Sequence, residues 1–218
     1  VWLENLTRYG TSNRVLHRQR LGLWGAKNFQ DNLLDDWEEL DPQNLTDNHL
    51  VRITACMGCA VRCRRYSKAA YNGETWYTKG PEYDEINALA AKTAVTDANA
   101  VIYGVYLCDQ LGIDVQSAGS SIAMAMELYE RGLLKDPEAV ELDLRFSNGR
   151  AMIKALSAIA YRQGIGDLLA EGCKEIGQKL QADYYAAHVK GLEIDATDPR
   201  RYVTRALTYS VATRGSCH

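Results

Sequence analysis

The chain has 218 residues, 46% of them apolar and 24% charged, with a formal net charge of −3. A chain this long closes a hydrophobic core without disulfides or a structural metal, and its charge balance gives no reason to expect a nucleic-acid partner. No apolar run reaches the roughly 18 residues of a membrane span, and the opening VWLENLTRYG lacks the regions of a signal peptide.

The chain opens straight into a helical pattern without an initiator Met and stops at RGSCH, so it is expected to be a piece of a longer protein. Residues 31–48 are acidic and turn-rich, with Asp41-Pro42, and read as a surface loop or short helical turns. Extended segments are few, at 77–78 and 189–194. Helices are expected over 85–94, 97–111, 120–131, 151–162 and 167–180, where apolar residues recur at three and four. Asp97 reads as an N-cap, and Gly112, Gly132 and Gly164 follow helix ends. Met124, Met126 and Tyr129 read as core. The fold class is mainly α, with no internal repeat and with the chemistry carried on loops.

Six cysteines without an export signal argue against a disulfide framework. Cys108 and Cys173 fall in helical segments and read as packing groups. Cys56, Cys59 and Cys63 form a C-x2-C-x3-C run in ITACMGCAVRCRRYSK. Arg52, Arg62, Arg64, Arg65 and Lys68 surround them, with no acid between. Thiolates so spaced on a tight loop can converge on one metal centre, as zinc and iron–sulfur sites do. A structural zinc site usually has a second paired half, which is missing here, whereas a 4Fe–4S cluster can take its fourth thiolate from far away. The cations would offset the charge of such a cluster. A zinc tetrathiolate is anionic too, so cluster, zinc and metal-free loop all stay open on spacing alone. The small residues Gly58 and Ala60 let backbone N–H groups approach a sulfur. The fourth ligand is Cys108, Cys173, Cys217 or a cysteine beyond residue 218.

CMGCAVRC is followed by GPEYDEINALAAKTAVTDANAVIYGVYLCDQLGIDVQSAGSSIAMAMELYERGLL, then by AYRQGIGDLLAEG, HVKGLEIDATDPR and ATRGSCH. This order and spacing, from about Tyr9 to the last residue, resembles the aldehyde:ferredoxin oxidoreductase family of tungsten-pterin enzymes. The resemblance implies a three-part protein in which two helical domains close over a β-rich base. Residues 1–187 would be most of the second domain, incomplete at its N-terminus. Residues 188–218 would open the third, and the base domain would be absent.

The same resemblance assigns residues. Cys56, Cys59 and Cys63 match the three clustered ligands of the family's 4Fe–4S centre. The fourth lies downstream of the RG-x-CH motif, beyond this chain, so Cys108, Cys173 and Cys217 are not its equivalents. Asp109, Gly112 and Asp114 in DQLGID match the first of two pterin-binding loops, with Ile113 in place of the usual Leu. A carboxylate there would accept hydrogen bonds from pterin N–H groups. On the residues alone, Asp109 is an exposed helix residue and Gly112 a C-cap. Glu82 and Asp84 lie in GPEYDE, where the family has G-P-E-Y-E with its second acid near the tungsten. Asp84 is one methylene shorter, which bears on its reach as a general acid or base. Otherwise both acids simply suit a helix start. His218 matches the histidine beside the tungsten, presented by Arg214 and Gly215. Trp76 and Tyr77 are candidates for the substrate pocket, although a Trp is ordinarily core.

The function implied is oxidation of an aldehyde to a carboxylic acid at a tungsten (or molybdenum) bis-pterin, with electrons leaving through the cluster to ferredoxin. A related member reducing an aromatic thioester fits the same motifs. The contrasting readings are a non-catalytic iron–sulfur electron-transfer module and a zinc-stabilised helical module. The isolated stretch is expected to be inactive, the location cytoplasmic, no membrane is involved, and a homodimer is compatible with the family.

Overall fold

The structure is a computed structural model and describes residues 2–217. Helix α1 (Trp2–Tyr9) runs through a 3-10 turn (Gly10–Asn13) into α2 (Arg14–Leu21). A left-handed turn follows, α3 (Ala26–Phe29), with Lys27 and Asn28 both at positive φ. The acidic stretch holds short helical turns, as expected. Among them α4 (Pro42–Asn44) has proline in its first turn and Asp41 accepting from the Gln43 N–H at 2.8 Å.

Next comes an antiparallel sheet, of which the sequence pattern marks only residues 77–78. Strands β1 (Leu50–Thr54), β2 (Arg64–Tyr71) and β3 (Glu74–Lys79) pair in the order β1-β2-β3. Asn72 and Gly73, at φ 53° and 80°, make the two-residue turn between β2 and β3. An Asn-Gly pair is the favoured chemistry for that hairpin. The buried face of β2 is Arg65, Ser67 and Ala69, so its alternation is invisible to a hydrophobicity pattern.

The remainder is helical: α5 (Tyr83–Ile86), continuing as a π turn (Asn87–Ala91), then α6 (Ala98–Leu111), α7 (Val115–Glu130), α8 (Pro137–Leu142), α9 (Gly149–Tyr161), α10 (Ile165–Leu169) and α11 (Cys173–Leu180). Asp97, Asp114, Asp136 and Asn148 cap α6, α7, α8 and α9 with their side-chain oxygens. Ile102, Ile122, Met124, Met126, Leu128 and Leu156 are fully or almost fully buried where these helices meet. Each such side chain contributes roughly 1.5–3 kcal/mol of burial. The boundaries differ from expectation most clearly at two places. Helix α7 begins at Val115 rather than at residue 120, because Asp114 starts it. The span 167–180 is two helices, broken at Gly172 with φ 85°, where Glu193 accepts from the Cys173 N–H at 3.0 Å.

The hairpin β4 (His188–Val189) and β5 (Leu192–Glu193) and helix α12 (Val203–Val211) complete the chain. The fold is mainly α. No helix among the described residues is long and apolar enough to cross a membrane.

Candidate functional site

The cysteine loop joins β1 to β2. Cys56 and Cys59 are exposed and Cys63 is half-buried. The Cys59 N–H closes a turn on the Cys56 carbonyl at 3.0 Å. The loop's far end is tied to the N-terminal helix. Thr7 donates to the Val61 carbonyl at 2.9 Å, and Arg65 donates to the carbonyls of Arg62 and Arg64, each at 3.1 Å. Gly10 packs so tightly on this end that a Cβ would stand 2.6 Å from the Cys63 carbonyl oxygen, and its φ of 68° favours glycine in any case. Arg65 is buried, and burial lowers its pKa against the opposing pull of Glu82 and Cys63. Its guanidinium also donates to the carbonyls of Leu6 and Thr7, which fastens the loop to α1. Arg52 is committed differently, over the Tyr66 ring at 5.0 Å.

Among the described residues no three His, Cys, Asp or Glu side chains form a ready metal cage. The donor types could still serve a thiolate-held centre: two exposed thiols and one half-buried within eight residues, flanked by cations and with open space at Gly58.

The GPEYDE segment opens α5. The Glu82 N–H donates to Glu85 at 2.7 Å, and the Glu82 carboxylate accepts from the Thr11 hydroxyl, which itself accepts from the Tyr83 N–H at 2.9 Å. The Tyr83 ring packs on Trp24, and its hydroxyl donates to the Ala196 carbonyl at 2.9 Å. Asp84 is half-buried, and its pKa is raised by burial first and by Asp195 second, with Arg14, Arg205 and Lys92 pulling the other way. Asp195 accepts from the Tyr209 hydroxyl and lies 3.9 Å from Arg205. A partly buried acid beside a second acid is the environment that favours the protonated form of a carboxyl.

In DQLGID, Asp109, Gly112 and Asp114 are all exposed. Asp109 pairs with Lys79 at 3.1 Å and accepts from Thr78 at 3.2 Å. Asp114 accepts from the Ser117 N–H at 2.8 Å, the capping bond of α7. Gly112 takes a left-handed φ of 68° with open space around it. Ile113 and Asp114 line a cavity of about 270 Å³ with Arg162 and Gly172. The exposed acid edges and the open glycine leave room for a flat heterocycle bearing N–H donors.

One cation links the two acidic motifs: Lys79 joins Glu85 at 3.3 Å to Asp109 at 3.1 Å. Gln116 adds a second tie, donating to the Asp84 carbonyl at 2.6 Å. Sequence reasoning missed Thr11, Lys79, Gln116 and Asp195, all of which act over long sequence separations. Trp76 packs β3 onto α6 against Tyr103 and Tyr106, while Tyr77 remains exposed. Cys108 and Cys173 are buried, each pushed up to about 12 by that burial, as expected of packing groups. Arg214 donates to the Cys217 sulfur at 3.6 Å. His218 lies outside the described residues.

The family model for aldehyde ferredoxin oxidoreductase, domains 2 and 3, matches residues 1–218. The chain is 35% identical over 214 residues to the tungsten-containing aldehyde ferredoxin oxidoreductases of Pyrococcus furiosus and Thermococcus kodakarensis, covering 98% of this chain and 35% of each relative. It is 28% identical over 202 residues to the WOR-like subunit of an aliphatic sulfonate oxidoreductase of P. furiosus, covering 88% of this chain and 32% of that one. Among solved structures, the BamBC active-site complex of benzoyl coenzyme A reductase shares the fold, with a TM-score of 0.73 at 21% identity over 95% of this chain and 31% of that one. The chain thus spans about a third of the length of these curated relatives. It belongs to the aldehyde ferredoxin oxidoreductase family and falls within that family's domains 2 and 3.

Proposed function

We propose that this chain is the helical part of a tungsten-pterin enzyme that oxidises aldehydes to carboxylic acids and passes the electrons to ferredoxin. The observation that supports the reading is the run from the Glu82 N–H to Glu85, and from Glu85 through Lys79 to Asp109, which joins the GPEYDE and DQLGID motifs. The overall reaction takes an aldehyde and a water to a carboxylic acid, two protons and two electrons. When bound, the tungsten-pterin and the 4Fe–4S cluster supply the redox chemistry. The chain's own groups hold them and handle protons. Cys56, Cys59 and Cys63 provide three cluster ligands, with the fourth beyond residue 218. Asp109 and Asp114 would accept hydrogen bonds from the pterin's N–H groups, beside the open space at Gly112. Asp84 would take up and release a proton, and its raised pKa, from burial first and Asp195 second, favours its taking one up. Glu82, held by Thr11, fixes the backbone that presents Asp84. His218 is the second proton handler in this reading. Unpaired thiols suit a reducing compartment, and in this reading the protein is cytoplasmic.

The test is metal analysis of anaerobically purified protein, with aldehyde-dependent dye reduction alongside. Roughly four irons per chain, as a cubane cluster requires, together with tungsten and aldehyde turnover, are expected. Molybdenum in place of tungsten would change the metal and keep the reaction. Zinc without iron would sink the reading.

A further inference from the structure

A cavity of about 620 Å³ opens between α2 and α12, walled by Arg14, His17 and Arg18 on one side and by Tyr202, Arg205 and Thr208 on the other. No acid lines it. Among the described residues the Arg14 and His17 side chains make no hydrogen bond or ion pair. Arg18 is the unusual member. Its residue is only 8% exposed, its Nε has no partner, and its guanidinium lies 5.6 Å from the Tyr83 ring centre and 5.5 Å from that of Tyr202. A buried guanidinium held by two rings and no carboxylate is costly unless an anion joins it. Its planar fork matches a carboxylate or phosphate. Arg14 and Arg205 are also the two arginines that act on the Asp84 carboxyl, so cavity and acid are neighbours.

We propose that this cavity binds an oxyanion, a carboxylate or phosphate group, carried by the substrate, so that the enzyme acts on anionic aldehydes. The proposal rests on the aldehyde-oxidation reading and narrows its substrate class. Tyr83 connects the two sites directly, with its ring beneath Arg18 and its backbone leading into Asp84.

The test uses the protein with its metals in place and compares succinic semialdehyde with butanal, which lacks the charge. Wild type should prefer the charged aldehyde in kcat/KM by roughly tenfold or more, the worth of one charge-assisted contact. Arg14→Gln, an exposed change, and Arg18→Lys, which keeps the charge but loses the fork, should each collapse that ratio. Succinate binding by calorimetry, with butyramide as the neutral control, should weaken in parallel. Equal turnover of both aldehydes, or a preference that neither variant moves, overturns the proposal and leaves aldehyde oxidation intact. If neither aldehyde reacts, the oxidation reading fails on its own, and succinate binding that depends on Arg14 and Arg18 decides for or against the anion site. Loss of pterin and tungsten from the variants would assign the cations to a cofactor phosphate and overturn the substrate assignment.

Discussion

Asp84 and the cysteines show how burial alone sorts residues of one type into different roles. Burial and Asp195 raise the Asp84 pKa, so a reaction using its ionised form should lose activity on the acid side above the ordinary carboxylate range. Asp84→Asn should lower kcat by about a hundredfold or more, the usual worth of a general acid–base group. Asp195→Asn should instead shift the acid limb of the pH profile to lower pH, because it removes a like charge. An unmoved limb would show that Asp84 is not the group being titrated. The thiols divide more sharply. Iodoacetamide should label Cys56 and Cys59 in the metal-free native protein, while Cys108 and Cys173 stay unlabelled until the chain unfolds. These two buried thiols are raised from 9.0 to about 12, so the unfolded state ionises first. Their contribution to stability is complete below pH 9 and is lost as pH rises toward 12.

At the scale of elements, the cysteine loop depends on the close approach of the turn after α1. Gly10→Ala should destabilise the protein by about 1–3 kcal/mol, from left-handed strain and crowding at the Cys63 carbonyl. Chemical denaturation measures this, and faster labelling of Cys63 in the metal-free variant would show that the loop itself has loosened. The local elements were legible in the sequence. Asp97 and Gly112 bracket residues 97–111, and α6 is Ala98–Leu111. Elements set by distant partners were not. Strand β2 buries Arg65, Ser67 and Ala69, and Arg65 pays for its burial with carbonyls of the cysteine loop and α1, so no apolar alternation marks it. The break before α11 is fixed by Glu193, which belongs to a strand 20 residues on. The motif residues Cys56, Asp84 and Asp109 could be read from spacing and resemblance. Thr11 and Lys79 could not, because only the folded chain brings them to Glu82 and Asp109.

At the scale of the whole molecule, Lys92 fastens three distant parts of the chain. It is fully buried, and its ammonium donates to Gln116 at 3.1 Å, to Ser120 at 2.7 Å and to the Ile194 carbonyl at 2.7 Å. The end of the α5 segment, helix α7 and the strand leading to Asp195 are thereby held together, and Gln116 extends the tie to the Asp84 carbonyl. Burial lowers the Lys92 pKa from 10.5 to about 8. Above about pH 8 the folded chain sheds this proton while the unfolded chain keeps it, so this group makes stability rise with pH until about 10.5. The buried thiols act in the opposite sense from pH 9 upward, which leaves the interval up to 9 as the clean window. Lys92→Met removes the titration while nearly filling the volume. Between pH 7 and pH 9, wild type should therefore gain about 1 kcal/mol of unfolding free energy relative to the variant. At pH 7 the variant should still be the less stable protein, because three buried acceptors lose their donor. If the gap between the two proteins stayed constant across that window, Lys92 would be neutral throughout or well solvated. Its link between the Asp84 segment and the segment after β5 would then be one of shape rather than of charge.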